Sequence, residues 1–399
     1  MREITAIASK SDAHRAMICA ALSQLTSGKT CTIDVGSSSK DIEATAACLS
    51  ALLAGEEIMR CGESGSTLRF LLPVMGALGH TAAFYAEGRL PQRPLSPLYE
   101  ELTAHGCTLS QKGSIPLTIS GKLAAGTYTM PGNVSSQYIS GLLFALPLLE
   151  GDSKIQLAGK LESRGYVDMT LQVMKKFGIK IEETGDGFNV PGGQKYEAPE
   201  RYTVEGDWSN SCFFLAAGAL LEGGICVKNL SRESLQGDKK ILDLLKNFGA
   251  EVSAGQKDIV IKPAKLKGIT IDASQIPDMV PVLAVLACGA EGRTVIENAG
   301  RLRIKESDRL ATVSQGLNSL GAKVEELSEG LIIEGFGGKK LGGGAVDGAN
   351  DHRIVMMAAI ASLICENPVA ISGAEAVHKS YPDFFKDLRK LNLDENVRI

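Results

Sequence analysis

The sequence has 399 residues, of which 44% are hydrophobic, 22% charged and 5% aromatic, and its formal net charge is −4. This composition is typical of a globular protein with two domains or a repeat array, and it excludes the strongly basic or aromatic-rich surfaces that bind nucleic acid. No apolar run approaches the roughly 20 residues of a membrane span, and the first residues do not resemble a signal peptide, so we expect a cytoplasmic protein without membrane or nucleic-acid partners.

Six segments along the chain share one pattern, a polar start followed by a helix that is apolar on nearly every side. Such helices are buried ones. In chain order the six are SKSDAHRAMICAAL (9–22), SGSTLRFLLPVMGAL (64–78), SSQYISGLLFALPLL (135–149), DWSNSCFFLAAGALL (207–221), PDMVPVLAVLACGA (277–290) and NDHRIVMMAAIASLI (350–364).

A second pattern alternates with the first: an amphipathic helix that ends at a glycine and is followed by a strand. The closing glycines Gly106, Gly178, Gly249 and Gly321 recur at intervals of 71 or 72 residues, and Asn392 stands near the next expected place. Glycine and asparagine are the residues that adopt the left-handed conformation at a helix C-terminus. We therefore predict six related units.

Six units predict two similar lobes of three, each an α/β barrel-like domain with helices inside. The chain opens with a short strand and ends on an unfinished unit, so we expect the N-terminal strand to complete the last unit. The predicted lobes are residues 10–205, and residues 1–9 together with 206–399. A ligand is expected in the cleft of such a two-lobed protein.

Several of the buried helices begin with groups suited to anions. Helix N-termini offer unpaired N–H groups and a positive dipole end. Serine and aspartate at these starts could simply be N-caps, but arginine in the first turn of an apolar helix is unfavourable against the dipole, so anion binding is favoured. The groups are Lys10, Ser11 and Arg15; Ser64, Gly65, Ser66 and Arg69; Ser135, Ser136 and Gln137; and Asp351, His352 and Arg353.

Further charges follow the same logic in loops. The segment RLRIKESDRL (301–310) carries six charges in ten residues, and we predict a helix start at which Lys305, Glu306 and Arg309 lie within about one turn. An ion-paired, solvated helix start is the alternative interpretation. Arg93 in RLPQRPLSP and Lys379 in HKSYPDFF are also placed to present cations, although either could be an ordinary surface charge.

The nine cysteines are scattered and include no CxxC pair. Neither a zinc site nor a disulfide framework is therefore predicted, and reduced thiols in the core are expected. Local charges, rather than a metal, must hold any anionic ligand.

Nine blocks of the sequence, in order from residue 9 to 385, resemble the EPSP synthase (3-phosphoshikimate 1-carboxyvinyltransferase) family. The resemblance implies a two-lobed inverse α/β barrel of the enolpyruvyl transferase and RNA-cyclase type, built from six βαβαββ repeats with buried helices. It also implies transfer of the enolpyruvyl group of phosphoenolpyruvate to the 5-hydroxyl of shikimate 3-phosphate, a step of aromatic amino acid biosynthesis. The blocks are SKSDAHR, GESGSTLRFLLP, QRPLSPL, NVSSQY, ESRGYVDMT, IPDMVPVLAV, RIKESDRL, NDHRIVM and HKSYPDFF.

The same resemblance implies a role for each site residue. Asp278 would accept the hydroxyl proton, Glu306 would protonate the methylene carbon, and Lys10 and Lys305 would complete the catalytic set. Shikimate 3-phosphate, on the N-terminal lobe, would contact Lys10, Ser11, Arg15, Ser135, Ser136, Gln137, Ser163, Tyr166, Asp278 and Lys305. Phosphoenolpyruvate, on the C-terminal side, would contact Lys10, Gly65, Arg93, Gln137, Arg309, Arg353 and Lys379. The chemistry needs no metal or organic cofactor, and we expect a monomer.

Two other functions are compatible with this architecture. The sister enzyme that transfers enolpyruvyl to UDP-N-acetylglucosamine usually has a Lys–Asn pair and a loop cysteine, whereas this chain has Lys10–Ser11 and no cysteine in QRPLSP. A non-catalytic anion-binding or RNA-processing protein would not need Asp278, Lys305 and Glu306. One departure from the family pattern concerns a ligand contact: Arg301 stands where asparagine is common. Gly65 is the glycine of its block and not the alanine of glyphosate-insensitive relatives.

Overall fold

The computed structural model describes residues 1–399 and confirms the predicted α/β class. The twelve α-helices are α1 (Lys10–Ser27), α2 (Lys40–Leu53), α3 (Gly65–Leu78), α4 (Leu98–Ala104), α5 (Ser136–Ala145), α6 (Arg164–Lys176), α7 (Trp208–Leu220), α8 (Ile241–Phe248), α9 (Val280–Gly289), α10 (Arg309–Ser319), α11 (His352–Ala361) and α12 (Phe384–Lys390).

The strands are short, from two to seven residues. They are β1 (Arg2–Thr5), β2 (Thr32–Asp34), β3 (Ile58–Gly62), β4 (Ala82–Ala86), β5 (Cys107–Leu109), β6 (Leu117–Gly121), β7 (Thr127–Pro131), β8 (Ser153–Ala158), β9 (Glu182–Thr184), β10 (Gly187–Val190), β11 (Arg201–Thr203), β12 (Ile225–Lys228), β13 (Glu251–Ala254), β14 (Ile259–Lys262), β15 (Thr270–Asp272), β16 (Glu291–Glu297), β17 (Lys323–Leu327), β18 (Gly330–Phe336), β19 (Gly344–Asp347), β20 (Val369–Ser372) and β21 (Val397–Arg398).

The chain forms two compact units. The first unit is Lys10–Val204, and the second unit is Met1–Ser9 together with Glu205–Ile399. Each unit contains three small sheets, so the chain has six sheets in all.

Four of the six sheets have the same strand order, in which a parallel pair is extended by an antiparallel hairpin. The orders are β3-β4-β6-β5 and β7-β8-β10-β9 in the first unit, and β1-β12-β14-β13 and β15-β16-β18-β17 in the second. The other two sheets are smaller, with the orders β11-β2 and β19-β20-β21. Neither of these two sheets contains an antiparallel hairpin, since all their strand pairs are parallel.

Two strands join repeats that are distant in sequence. The expectation that the N-terminal strand completes the last unit is wrong: β1 pairs in parallel with β12, from Arg2 opposite Ile225 to Thr5 opposite Lys228. This strand therefore completes the fourth repeat. In the same way, β11 pairs in parallel with β2 and supplies the first strand of the first repeat.

The six predicted apolar helices are confirmed as α1, α3, α5, α7, α9 and α11. In α9 every residue from Val280 to Cys288 is buried. Within the second unit α7, α9 and α11 all contact one another, and within the first unit α3 packs along α5, where the Phe70 and Phe144 rings lie 5.5 Å apart. Each apolar helix surface is thus covered by another helix or by a sheet, as a continuous apolar face requires.

The glycine pattern is also confirmed. Gly106, Gly178, Gly249 and Gly321 have φ angles of +103°, +81°, +105° and +93°, and Asn392 has a φ of +53°. These values are strained for residues with a Cβ, which explains why glycine closes the amphipathic helices.

The prediction for residues 301–310 needs a correction. Residues Gly300–Ile304 form a 3₁₀ helix, and α10 begins only at Arg309, with the Asp308 carboxylate accepting from the Ala311 N–H at 3.2 Å. Lys305 and Glu306 therefore lie in the loop before α10. They do not share a helical turn with Arg309, as the prediction required. Aspartate is a preferred N-cap, so the local hydrogen bond sets the helix start at Asp308.

All nine cysteines are free, and eight of them are buried. No helix is both long and apolar enough to span a bilayer.

Candidate active site

In the first unit, serine hydroxyls cap the helix starts that were predicted to bind anions. Ser64 accepts from the Thr67 N–H of α3, and Ser135 accepts from the Gln137 N–H of α5, both at 3.3 Å. The N-cap interpretation is therefore correct for both serines. Capping does not use the full hydrogen-bonding capacity of the two serines, since a hydroxyl that accepts one bond can still donate its own proton to a ligand.

Arg15 is almost completely buried, with 2% of its surface exposed, and its guanidinium is held by three donated bonds. Nε donates to Thr170 Oγ1 at 2.8 Å, Nη1 to the Ser11 carbonyl at 2.6 Å and Nη2 to the Tyr166 carbonyl at 2.8 Å. The ring of Phe70 lies 5.3 Å from the guanidinium carbon. Burial lowers the pKa of Arg15 to about 10, which still leaves it charged at neutral pH.

The start of α3 lies against two further guanidinium groups. A Cβ on Gly65 would lie 2.6 Å from Nη1 of Arg69 and 3.1 Å from Nη1 of Arg93, so only glycine fits without displacing them. Arg69 is buried, and its Nη1 and Nη2 donate to Gln137 Oε1 and to the Pro94 carbonyl, both at 2.9 Å. This arrangement concentrates positive charge at a helix N-terminus, which favours a multiply charged anion.

The remaining predicted residues of the first unit occupy neighbouring helix starts. Lys10 opens α1 and forms an ion pair with Asp41 at 2.7 Å. Gln137 donates through Nε2 to Ser66 Oγ at 2.9 Å. Ser163, at the start of α6, is 2% exposed and has a φ of +53°, a strained conformation for a serine. Such strain is typical of functional positions.

The first unit also contains a cavity of about 320 Å³ beside these arginines. Its lining includes Arg69, Arg93, Lys112 and Leu117. A volume of this size is within the range of small-molecule sites.

In the second unit, Arg309 forms the centre of a cluster of charged side chains. Its guanidinium donates to Asp278 Oδ1 at 2.7 Å, to Glu306 Oε2 at 2.8 Å and to Asp351 Oδ2 at 2.8 Å. Lys305 Nζ lies 3.4 Å from the same oxygen of Asp278. We call these five residues the Arg309 cluster.

Burial and charge act in opposite directions on the two cations of the cluster. Burial alone would lower the pKa of Arg309, but the carboxylates of Asp351, Glu306 and Asp278 raise it above its ordinary value. For Lys305 burial prevails and lowers the pKa, while Asp278 opposes the shift. A lysine with a lowered pKa beside a carboxylate is typical of catalytic sites.

Arg353 and Lys379, the other predicted cations of the second unit, are both buried. Arg353 donates from Nη2 to Ser209 Oγ at 2.6 Å and from Nη1 to the Ser209 carbonyl at 3.1 Å. Lys379 donates to the Asn350 carbonyl at 2.6 Å. Asn350 immediately precedes Asp351, which joins this region to the Arg309 cluster and caps α11 by accepting from the Arg353 N–H at 2.9 Å.

The predicted site residues thus form two groups, one in each unit. Lys10, Ser11, Arg15, Gly65, Arg93, Ser135, Ser136, Gln137, Ser163 and Tyr166 belong to the first unit. Asp278, Lys305, Glu306, Arg309, Arg353 and Lys379 belong to the second.

Comparisons with known proteins agree on one family. The family model for EPSP synthase (3-phosphoshikimate 1-carboxyvinyltransferase) matches residues 51–388. A 3-phosphoshikimate 1-carboxyvinyltransferase of Clostridium acetobutylicum is 46% identical over 97% of this chain and 94% of its own length. One of Clostridium kluyveri is 44% identical over 96% and 93%. The chain belongs to the EPSP synthase family.

Two solved structures have the same fold as this EPSP synthase. The EPSP synthase of Acinetobacter baumannii superimposes with a TM-score of 0.80 at 24% identity, over 98% of this chain and 95% of its own. The enolpyruvyl transferase NikO of Streptomyces tendae superimposes with a TM-score of 0.76 at 18% identity, with the same coverage.

Several buried polar residues of this EPSP synthase have no signal in the sequence pattern. Ser209 accepts from Arg353 and donates to the buried carboxylate of Asp238, whose pKa is raised to about 6, chiefly by burial and then by Asp278. The sequence QGDKK around Asp238 carries no apolar pattern that marks a buried residue. Thr45 and Thr67 are also buried, on α2 and α3, and they hydrogen-bond to each other.

Proposed function

We propose that this protein transfers the enolpyruvyl group of phosphoenolpyruvate to the 5-hydroxyl of shikimate 3-phosphate and releases phosphate. The observation that carries the proposal is the Arg309 cluster, in which three carboxylates and a lysine surround one guanidinium. The names of the relatives support shikimate 3-phosphate as the acceptor in preference to a UDP-sugar, since proteins 42–47% identical to this chain are called 3-phosphoshikimate 1-carboxyvinyltransferases.

The first unit supplies the groups that suit a phosphorylated alcohol. Arg15 is fixed by three hydrogen bonds and by an aromatic ring, so its orientation does not depend on a ligand. We assign the shikimate phosphate to the serine hydroxyls of Ser135, Ser136 and Ser163. Lys10, Ser11, Arg15, Gln137 and Tyr166 would surround the rest of the shikimate 3-phosphate molecule. Preorganised donors of this kind bind an anion without further loss of side-chain freedom.

Phosphoenolpyruvate carries two anionic groups and needs several cations. We assign this role to Arg309, Arg353 and Lys379 of the second unit and to Lys10 and Arg93 of the first, with the uncharged Gly65 and Gln137 also at the phosphoenolpyruvate site. Charge-assisted bonds from guanidinium to carboxylate or phosphate are strong and often bidentate. Gly65 contributes by leaving room for the arginine side chains at the start of α3.

The reaction needs an acid and a base in different positions. Asp278, with Lys305 beside it, is assigned to take the proton of the attacking hydroxyl, while Glu306 protonates the methylene carbon of phosphoenolpyruvate. The tetrahedral adduct then loses phosphate: Glu306 takes back a methyl proton, the enol ether forms, and the proton held by Asp278 leaves with the phosphate.

Arg309 links substrate binding to these proton transfers. In the structure its guanidinium is bonded to both Asp278 and Glu306. An incoming anion that binds Arg309 competes with the carboxylates of Asp278 and Glu306 for the guanidinium N–H groups. Its binding therefore releases both carboxylates to act on the substrates. We also propose that the protein acts as a cytoplasmic monomer and that it needs no cofactor.

The decisive measurement is phosphate release from phosphoenolpyruvate with each of two acceptors. We expect release with shikimate 3-phosphate and none with UDP-N-acetylglucosamine. Glu306→Gln should reduce kcat by roughly two to four orders of magnitude, the usual contribution of a general acid. The matched control is Glu325→Gln, which changes an exposed glutamate on β17 and should leave the rate within about twofold, as neutral surface substitutions do.

Two results would contradict the proposal. Turnover with the UDP-sugar alone would assign the protein to the sister reaction. A Glu306→Gln variant as active as the control variant would show that another group protonates the methylene carbon.

A further inference from the structure

Four buried side chains form a continuous line of hydrogen bonds across three helices of the first unit. His14 Nδ1 on α1 lies 2.7 Å from Thr45 Oγ1 on α2, which lies 2.6 Å from Thr67 Oγ1 on α3. Thr67 Oγ1 donates to Ser64 Oγ, the N-cap of α3, at 2.7 Å. None of the four residues is more than 1% exposed. We call them the hydroxyl chain.

The protons in the hydroxyl chain have one consistent direction. Since Thr67 donates its only hydroxyl proton to Ser64, the short contact between the two threonines requires Thr45 to donate to Thr67. Thr45 must then accept from His14, which places the imidazole proton on Nδ1. The other ring nitrogen, Nε2, is buried without a hydrogen-bond partner. A buried N–H without an acceptor is rare, so Nε2 is better explained as the unprotonated nitrogen.

The charge state of His14 agrees with this direction. Burial, followed by the nearby charges of Lys10 and Arg15, holds the pKa of His14 well below its usual range. The imidazole is therefore neutral at physiological pH, with one donor and one acceptor nitrogen.

The hydroxyl chain joins two helix starts that the proposed function uses. His14 lies beside Arg15 and one turn after Lys10 on α1, while Ser64 immediately precedes Gly65 on α3. Apolar side chains of similar size would fill the same space without buried polar atoms, which are unfavourable unless they are hydrogen-bonded. A fully bonded polar line instead selects one arrangement of the three helices.

We propose that His14, Thr45 and Thr67 are positioning residues, which fix the first turn of α3 relative to α1 and so set the binding of phosphoenolpyruvate at Gly65. The inference rests on the proposed function for the identity of that ligand. All three side chains are buried, and none belongs to the residues assigned to the proton transfers, so their removal should affect binding of phosphoenolpyruvate more than the chemical step.

The test is Thr67→Val, which has nearly the same shape as the wild-type side chain but lacks the hydroxyl. We expect the KM for phosphoenolpyruvate to rise by about tenfold, the equivalent of one hydrogen bond, while the KM for shikimate 3-phosphate and kcat stay within about twofold. Thr67→Ser, which retains the hydroxyl, should restore most of the affinity. Thr103→Val is the control, because that threonine is exposed on α4 and bonds only to the Tyr99 carbonyl.

A second measurement does not depend on activity. The ¹⁵N chemical shifts of the His14 ring in the full-length protein should show a neutral imidazole protonated at Nδ1 at neutral pH. Thr45→Val should change these shifts, whereas Thr103→Val should not.

Each outcome decides a different point. An Nε2-protonated ring would overturn the proton direction, and equal rises of both KM values in Thr67→Val would indicate a general loosening instead of positioning. A Thr67→Val variant that behaves like Thr103→Val would overturn the positioning role. If the wild-type protein does not use shikimate 3-phosphate, the proposed function fails, and the ring spectrum still decides the hydroxyl chain.

Discussion

At the scale of single residues, Asp238 of the second unit is a buried carboxyl group that is linked through Ser209 to Arg353, a predicted ligand of phosphoenolpyruvate. Asp238 is 3% exposed and accepts from the Ser209 hydroxyl, which itself accepts from Arg353 at 2.6 Å. Burial and the nearby charge of Asp278 favour the neutral carboxylic acid, whereas Arg353 favours the carboxylate. Asp238 therefore changes charge close to physiological pH and affects folding stability.

Asp238→Asn should change how stability depends on pH. The carboxyl has a pKa of about 6 in the folded protein, raised from its ordinary value of 3.8. The folded protein then retains the proton to higher pH than the unfolded chain, so the stabilising effect of protonation, present below about pH 4, is lost as the pH rises to 6. Asparagine does not titrate, so the variant should gain stability relative to wild type across this window, by up to about 3 kcal/mol.

Urea unfolding at several pH values between 4.5 and 7.5 measures this difference. Asp243→Asn, on the exposed face of α8, is the control and should show no such trend. Parallel pH curves for wild type and Asp238→Asn would show that the carboxyl is not perturbed by folding.

The sequence predicted some residues of the site better than others, for a physical reason. Polar residues at the start of an apolar helix stand out, which is why Arg15 and Gly65 were singled out. Hydrogen bonds between elements leave no such trace, because periodicity shows which face is buried but not which side chains meet there. His14 and Thr45 are 31 residues apart, and only the packing of α1 against α2 brings them together.

At the scale of helices and strands, periodicity predicted the six buried helices but not the start of α10. Apolar faces and closing glycines are local properties, and the structure confirms both. The charged segment 301–310 has no comparable periodicity, and the N-cap hydrogen bond of Asp308 determines where α10 begins. Lys305 and Glu306 reach the Arg309 cluster from a loop. The residues do meet, but the path of the loop brings them together and not the spacing of a helix.

Gly106→Ala should be more harmful than a matched substitution at Gly55. Both glycines have positive φ angles, +103° and +74°, so an alanine at either position is strained by roughly 1 kcal/mol. At Gly106 the new Cβ would also lie 2.7 Å from the Lys122 carbonyl oxygen, whereas at Gly55 it would meet nothing within 4 Å. Since backbone must move to relieve that contact, Gly106→Ala should lose about 1–3 kcal/mol more stability.

Denaturant unfolding of the two variants at one pH provides the comparison. Equal losses of stability would mean that the strand after α4 adjusts freely, and that the left-handed conformation alone explains the glycine.

At the scale of the whole molecule, the order of the repeats explains why the chain passes twice from one unit to the other. The length of 399 residues and the repeat pattern predicted more than one domain, but periodicity could not identify the partner of the first strand. Pairing is decided by the register of β1 against β12, a contact between residues more than 200 positions apart. The same holds for β11, which returns to β2 after three repeats.

This topology makes the two units unequal when they are separated. A fragment of residues 10–204 retains all three of its sheets, because β11 and β2 are both inside it. A fragment of residues 205–399 loses β1, and with it the backbone partners along one edge of β12 and the buried side chains of Ile4 and Ala6, while β14 still pairs with the other edge. An uncovered strand of this kind is unfavourable and prone to pair with other chains.

We therefore expect the 10–204 fragment to unfold cooperatively in urea, and the 205–399 fragment to unfold at lower urea concentration or to associate. A synthetic peptide of residues 1–9 added to the second fragment should raise its unfolding midpoint in a concentration-dependent manner, because binding to the folded form alone stabilises it. The control peptide carries Ile4→Asp, which places a charge at a site that is 8% exposed in the full chain. If both peptides act alike, or neither acts, β12 does not depend on β1 for stability, and the N-terminal strand serves only to connect the units.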